Sequence, residues 1–203
     1  MTLYTEAINA IEKRKIDGLR YEGGPNDFTL TVIKNKVELK VIVKIIKDAI
    51  TIDASDGQWT EVMVIPELAK KKDDKIVDEE RAIFEINRIV GAWLKAVKGR
   101  LEKMLKILDV AKKALKEIEF EIDAMEVIDI DTTGFEIILN EYKKQTVLEV
   151  KEDPKEQGAF ILKVSGKKTP EGFGDTSEGR KHFAAAVKKA VNDWREKLLR
   201  QTG

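Results

Sequence analysis

Apolar and polar residues alternate in the first half of the chain, most clearly over residues 28–32 and 37–45. A period of two predicts β-strands that bury one face. Lys34-Asn35, between these two segments, predicts a tight turn. Two further strands are predicted over 50–54 and 59–65, so this half has the pattern of an antiparallel meander with one apolar and one polar face.

The same order of apolar positions recurs in the second half, where Phe135 stands 107 residues after Phe28. Each half also opens with a segment of helical period, near residues 4–15 and 106–118, and closes with a longer one that carries a tryptophan. A recurrence of this kind is typical of an internal repeat. Chance similarity between short amphipathic patterns is the alternative.

We therefore predict an α+β fold built by tandem duplication of an α–antiparallel β-meander–α unit. The two units, residues 1–105 and 106–203, are predicted to be related by a pseudo-twofold axis, with helices covering one face of each sheet. They form either two domains or one compact pseudo-symmetric domain.

The two halves differ at two places. Residues 166–176 are rich in glycine and contain a proline where the first half has its fourth strand, which predicts a loop. Conversely, the segment from Phe120 to Asp131 has the pattern of an extra strand, which the first half shortens to Gly18–Tyr21.

Apolar residues at steps of three and four run from residue 83 to residue 118 and predict a long helical seam. Gly91 and Gly99 lie within it, and each glycine weakens a helix by about 1 kcal/mol relative to alanine. We expect a break or kink at Gly99. The alternative is one continuous helix whose apolar seam needs a partner chain.

Composition limits the chemistry that the chain can perform. Charged residues make up 36% of the chain, with 37 of each sign, and hydrophobic residues 42%, which is typical of a folded protein. The chain has no cysteine and one histidine, His182, so disulfides, thiolate chemistry and most zinc sites are excluded. Abundant Lys, Glu, Ile and Val with few Gln and Asn indicates a thermophilic source.

The N-terminal segment has an amphipathic helical pattern without a long apolar core. No stretch approaches the roughly 18 consecutive apolar residues that are typical of a membrane span. We therefore expect no signal peptide, no membrane association and a cytoplasmic location.

An acidic segment and a single histidine carry side chains of the kinds that catalytic or metal sites use. Asp123, Glu126, Asp129 and Asp131 could hold Mg²⁺ or Ca²⁺, but they lack the residue order of an EF-hand, and a solvated acidic strand face is the favoured interpretation. His182 has no second histidine or cysteine to join it, so we interpret it as a surface residue.

The glycine-rich segment 172–181 contains fragments of phosphate-binding motifs and completes none of them. A flexible loop is the favoured interpretation, and an anion resting on the amides at the start of the last helix is the alternative. No serine stands in a nucleophile elbow. We therefore predict a protein that is not an enzyme and that uses no cofactor or metal.

Basic residues predict a binding surface instead. The candidates are a row of lysines on the outer face of the first predicted sheet, two nearby aromatic residues and the cations early in the last helix: Lys36, Lys40, Lys44, Tyr21, Trp59, Arg180, Lys181 and Lys188. Lysine side chains neutralise phosphates and aromatic rings stack on bases, so single-stranded DNA or RNA is the predicted partner. Solvated lysines of a heat-adapted protein are the alternative, since the pI near 6.7 lacks a basic excess.

The tandem sheet-plus-helix layout is similar in element order to duplicated single-strand-binding folds such as the Whirly and PUR-repeat families. Those repeats lack the leading helix found here, and no motif matches residue by residue, so the resemblance transfers no site. Two other classes of function stay open. One is a scaffold or regulatory protein whose partner, or second copy, meets the 83–118 seam, and the other binds a small ligand in a cleft between the repeats.

Overall fold

The fold combines helices with antiparallel sheets in two compact units. The structure, a computed structural model, describes residues 2–24, 27–46, 49–66, 79–119, 125–141, 143–153, 155–156 and 158–202. The chain divides into unit 1, Met1–Lys98, and unit 2, Gly99–Gly203. Within the described residues each unit holds one five-stranded antiparallel sheet, and three helices accompany the two sheets, which confirms the predicted α+β class.

Unit 1 is a β-meander with helices on its apolar face. Its elements are α1 (Leu3–Glu12), β1 (Gly18–Gly23), β2 (Asp27–Lys34), β3 (Val37–Ile46), β4 (Ala49–Ser55), β5 (Thr60–Pro66) and the first part of α2 (Glu79–Glu117). The strands lie in the sheet in chain order, each antiparallel to the next. The predicted alternation is present, because Phe28, Leu30 and Val32 are buried while the residues between them are not.

The turn between β2 and β3 lies at Asn35-Lys36, one residue later than predicted. Both residues have a positive φ, 50° and 64°. Two consecutive left-handed residues form the turn that matches the twist of a hairpin, and asparagine tolerates this region better than most residues. Asp17 holds the turn, because its carboxylate accepts hydrogen bonds from Asn35 N and from Lys34 Nζ, both at 2.7 Å.

The core of unit 1 lies between the apolar face of its sheet and the two helices. Leu3, Ala7 and Ile11 of α1 are buried, a spacing of four that places them on one side of the helix. Trp93 of α2 is the largest fully buried side chain. Its indole Nε1 donates a hydrogen bond to Asp56 Oδ2 at 2.8 Å, which ties the β4–β5 connection to α2.

Unit 2 contains a second β-meander. Its elements are the second part of α2, then β6 (Met125–Ile128), β7 (Gly134–Glu141), β8 (Lys144–Glu152), β9 (Ala159–Val164), β10 (Lys167–Gly174) and α3 (Ser177–Thr202). The strands again lie in chain order, with β6 and β10 at the edges. The strand predicted over Phe120–Asp131 is present as β6, which ends at Ile128, and residues 120–124 lie outside the described residues.

Both units therefore place a five-stranded meander against helices, and Phe28 and Phe135 are each buried in the core of their own unit. The tandem duplication, its pseudo-twofold axis and the boundary at residues 105 and 106 stay predictions.

The helix α2 continues through Gly91 and Gly99, so the predicted break at Gly99 is wrong, while a kink there stays a prediction. Apolar side chains on both sides of Gly99 are buried, with Trp93 and Val97 in the core of unit 1 and Met104 in the core of unit 2. Burying a large apolar side chain stabilises by roughly 1.5–3 kcal/mol, which exceeds the cost of a helical glycine. The predicted seam thus supplies apolar residues to both cores.

Residues 166–176, predicted to form a loop, contain the strand β10. The strand lies at the edge of its sheet and pairs only with β9 among the described strands. Its register shifts between Lys168 and Gly172, on either side of Pro170. Edge strands accept proline and bulges because one row of their backbone amides has no strand to bind. The glycine and proline content was therefore compatible with a strand at this position.

Candidate nucleic-acid interface

The predicted lysine row is split between a turn and a strand. Lys36 lies in the β2–β3 turn, while Lys40 and Lys44 are exposed on the polar face of β3. In the register of the sheet, Lys40 stands opposite Thr31 of β2, and Lys44 stands opposite Asp27.

Carboxylates are interleaved with these lysines on the same face of the sheet. Asp27 is the cross-strand neighbour of Lys44, and Asp53 stands opposite Ile42, between the two strand lysines. Glu38, two residues before Lys40, is paired with Arg20. Because acidic and basic groups alternate, this face offers a polyanion no continuous positive potential.

Of the two predicted stacking residues, Tyr21 lies on the other face of the same sheet and Trp59 lies just before β5. Tyr21 stands opposite the buried Leu30 and stacks on Tyr4 of α1, with ring centroids 6.1 Å apart. Trp59 is half-buried and packs against the core of unit 1. The structure therefore does not bring these aromatic rings together with the lysine row.

The three predicted cations of α3 are engaged unequally. Arg180 pairs with Asp175, with Nη2 and Oδ1 2.8 Å apart, and Lys188 pairs with Glu117. Lys181 is exposed. Two of the three charges are therefore already compensated within unit 2.

A different set of cations converges in unit 2, in a groove between α3 and the β9–β10 hairpin. We call it the α3 groove; its volume is about 820 Å³. One side is a stripe of α3 from His182 to Lys197, which at 1.5 Å per residue extends over about 22 Å. The lining residues are Val164, Ser165, Lys167, Lys168, Thr169, Phe173, His182, Ala185, Ala186, Lys189, Ala190, Asp193, Trp194 and Lys197.

The charge of the α3 groove is strongly positive. Lys167, Lys168, Lys189 and Lys197 line it, against a single carboxylate, Asp193. None of these lysines forms an ion pair with a residue that the structure describes. Their charges are therefore available to an anion.

The floor of the groove is apolar. Three alanines of α3 lie along it, and the small size of their side chains leaves the space open. Trp194 is half-buried, so part of its ring lines the groove while the rest packs against the core. Phe173, which also lines the groove, is buried and packs edge-on against Phe183, with ring centroids 5.7 Å apart.

The glycine-rich segment positions α3 and does not form the predicted flexible loop. Thr176 precedes the helix, and its Oγ1 accepts a hydrogen bond from Gly179 N at 2.9 Å, which caps the helix. Gly179 is required by a close approach, since a Cβ there would lie 2.1 Å from the carbonyl oxygen of Gly174. The chain's own threonine therefore occupies one of the amides proposed for an anion.

The acidic segment after β6 has a structural role at Asp131. Its Oδ1 accepts hydrogen bonds from Thr133 N at 2.7 Å and from Gly134 N at 3.1 Å, which shapes the turn into β7. Glu126 and Asp129 are exposed, and Asp123 lies outside the described residues. Among the residues that are described, no group of three or more His, Asp or Glu side chains could hold a metal ion.

All four groove lysines were missed in the prediction from the sequence, for a definite reason. Lys167 and Lys168 belong to the segment that was predicted to be a loop, and Lys189 and Lys197 were dispersed among other basic residues of α3. The alanine run 184–186, followed by Ala190 at helical spacing, was the available signal of an open stripe on α3.

Comparisons of the chain with family models, with curated proteins and with solved structures found no match. In the part of the chain that the structure describes, every helix is too short or too polar to cross a membrane.

Proposed function

We propose that this chain is a non-catalytic binding protein that takes single-stranded nucleic acid into the α3 groove. The observation that carries this proposal is the convergence of Lys167, Lys168, Lys189 and Lys197 around an apolar floor that includes Trp194. The predicted cytoplasmic location and thermophilic source stay predictions.

Charge favours a polyanion as the ligand. Four lysines against one carboxylate line the groove, and they have no ion-pair partner among the described residues. Lysines that contact phosphates release condensed counterions, and this release supplies most of the affinity for nucleic acid without sequence preference.

The floor favours unpaired bases. A partly accessible tryptophan offers a surface for stacking, which is worth roughly 1–3 kcal/mol per base in single-strand-binding proteins. The alanines beside Trp194 leave room for a flat ring. In a duplex the bases are stacked on one another, so this surface selects single strands.

The length of the groove favours a chain over a compact metabolite. The α3 stripe from residue 182 to residue 197 extends over about 22 Å. Lysines occur on the β-hairpin side and at two positions of the helix, Lys189 and Lys197, which lie about 12 Å apart along its axis. A ligand that meets all of them is therefore extended along α3 and carries several negative charges.

The proposal is tested by fluorescence anisotropy with a labelled oligothymidylate at low salt. In the groove variant, Lys167, Lys168, Lys189 and Lys197 are each changed to Gln. The control variant changes Lys36, Lys40, Lys44 and Lys181 to Gln, which removes the same charge from the surfaces that the sequence singled out. We expect the groove variant to bind at least about tenfold more weakly and the control variant to bind like the wild type.

A duplex of the same length serves as the second ligand, and we expect it to bind more weakly than the single strand. If both variants bound the oligothymidylate alike, the proposed site would be wrong. If the duplex bound as tightly as the single strand, the proposed stacking on Trp194 would be wrong.

A further inference from the structure

A second cavity, in unit 1, is lined mainly by cationic side chains. We call it the Arg14 pocket; its volume is about 340 Å³. The connection between α1 and β1, the β2–β3 turn and α2 contribute to its wall. The lining residues are Arg14, Lys15, Lys34, Asn35, Leu94 and Lys98.

Neutral groups hold Arg14 in place. Its Nε donates a hydrogen bond to Asn87 Oδ1 at 2.5 Å, and its Nη2 donates one to the backbone oxygen of Asn87 at 2.9 Å. No residue that the structure describes forms an ion pair with this half-buried guanidinium. A guanidinium carries five N–H donors, so Arg14 retains donors as well as its full charge.

The helix α2 accommodates this arginine at Gly91. A Cβ at this position would lie 2.9 Å from Arg14 Nη1 and 3.1 Å from Nη2. The guanidinium therefore lies directly against the helix backbone, where even the Cβ of an alanine would require it to shift. A glycine inside a helix costs about 1 kcal/mol relative to alanine, so the position of Arg14 is gained at the expense of helix stability.

Like charges surround this arginine. Lys15, Lys34 and Lys98 line the same cavity, and the carboxylate of Asp17 is engaged with Lys34 Nζ at 2.7 Å and with the turn. Lys15 has no ion-pair partner among the described residues. Because Lys34 is paired with Asp17, the charges of Arg14 and Lys15 are the ones that repel each other here, and a bound anion relieves that repulsion.

We propose that the Arg14 pocket binds a phosphate-type oxyanion, which is either inorganic phosphate or the phosphoryl group of a small phosphorylated molecule. A guanidinium binds such an anion through two parallel hydrogen bonds, and lysine ammonium groups add charge around it. The volume is at the lower end of the range for small-ligand sites. This site is independent of the α3 groove and of its proposed ligand.

The test is isothermal titration calorimetry of the full chain with inorganic phosphate and, separately, with ribose 5-phosphate, in chloride buffer. The Gln substitutions of the four groove lysines are present throughout, so the α3 groove does not contribute. We expect saturable binding of one equivalent. Tighter binding of ribose 5-phosphate identifies a phosphorylated molecule as the ligand, and equal binding identifies phosphate itself.

Two substitutions locate the binding. In Arg14→Gln we expect the affinity for phosphate to fall by about tenfold or more, because the charged bidentate hydrogen-bond donor is lost. Gly91→Ala keeps every charge and favours the helix, yet its Cβ requires the guanidinium to shift, so we expect a smaller fall in affinity. Lys181→Gln, which removes a charge from unit 2, is the control and is expected to bind phosphate like the background chain.

Absence of saturable binding of either ligand would overturn the proposal. So would phosphate binding that survives both Arg14→Gln and Gly91→Ala at the affinity of the background chain, since the anion would then lie elsewhere.

Discussion

At the scale of single residues, the side chain of Asp56 links the turn between β4 and β5 to the helix α2. Its Oδ1 accepts hydrogen bonds from the backbone amides of Gln58 at 2.9 Å and Trp59 at 2.7 Å, and its Oδ2 accepts one from Trp93 Nε1. Trp93 is fully buried, and its indole N–H can only donate. Asp56 therefore satisfies a polar group that water cannot reach.

Replacing Asp56 with alanine leaves that indole without an acceptor. We expect the free energy of unfolding to fall by about 1–3 kcal/mol, the cost of a buried donor that has lost its partner. Urea denaturation measures this change. The control is Asp53→Ala, an exposed position on the polar face of β4, where we expect a change within about 0.5 kcal/mol. Equal effects at the two positions would contradict the role given to Asp56.

Glu149 gives the fold a specific response to acid. A hydrogen bond from Lys151 lowers the pKa of this carboxyl below its ordinary value, and Lys163, whose Nζ lies 3.1 Å from Glu149 Oε2, acts in the same direction. Partial burial opposes them. A carboxyl whose pKa is lower in the folded chain contributes stability above its unfolded pKa and loses it as the pH falls through its folded pKa.

We therefore expect Glu149→Gln to be less stable than the wild type at neutral pH, with the difference shrinking as the pH falls below the ordinary carboxyl pKa of about 4.3. The free energy of unfolding, measured from pH 7 down to pH 3, checks this. Glu22→Gln, at an exposed position of β1, is the control. If the difference in unfolding free energy between Glu149→Gln and the wild type stayed constant over this range, the ionised Glu149 would not contribute to stability through its lysine partners.

At the scale of elements, two helical glycines have opposite structural roles. Gly99 lies inside α2, and a Cβ there would have no heavy atom within 4 Å. Gly179 lies at the start of α3 against the end of β10, where a Cβ would meet the carbonyl oxygen of Gly174. The first glycine only weakens its helix, while the second permits the helix to approach the strand.

Gly99→Ala is therefore expected to stabilise the chain by about 0.5–1 kcal/mol, because alanine favours a continuous helix. Gly179→Ala is expected to destabilise it, since the backbone of α3 must move away from β10. Thermal unfolding of the two variants compares them directly. A destabilising Gly99→Ala would mean that the helix is not continuous at this position.

The sequence predicted those elements whose pattern reflects burial. The strands β2, β3 and β4 alternate regularly, because one face of each is buried and the other is solvated. The strand β10 was missed because it contains proline and glycine, which usually indicate a loop. An edge strand tolerates both residues, since it pairs with a neighbouring strand on one side only. The continuity of α2 at Gly99 was missed because local propensity was outweighed by the apolar residues that α2 buries on both sides.

At the scale of the whole molecule, the candidate site depends on where charges converge, and a linear pattern does not contain that information. Lys167 and Lys168 follow a hairpin turn, while Lys189 and Lys197 lie on one side of α3, more than twenty residues later. Only the packing of α3 beside β10 makes them neighbours of one groove. Conversely, the regular lysine row of β3 meets carboxylates from β2 and β4 that belong to other parts of the sequence.

The proposal that the α3 groove binds a polyanion through its lysines is best tested by the salt dependence of binding. The logarithm of the affinity for an oligothymidylate is measured against the logarithm of the salt concentration, for the wild type and for the groove variant. Four phosphate contacts predict a wild-type slope of about −2.8, or a loss of roughly 50-fold between 50 and 200 mM salt.

We predict a much shallower slope for the groove variant, because its phosphate contacts are gone. We predict an unchanged slope for the variant that lacks Lys36, Lys40, Lys44 and Lys181. A groove variant that kept the wild-type slope would contradict the proposed site, since the phosphates would then be bound by other cations of the chain.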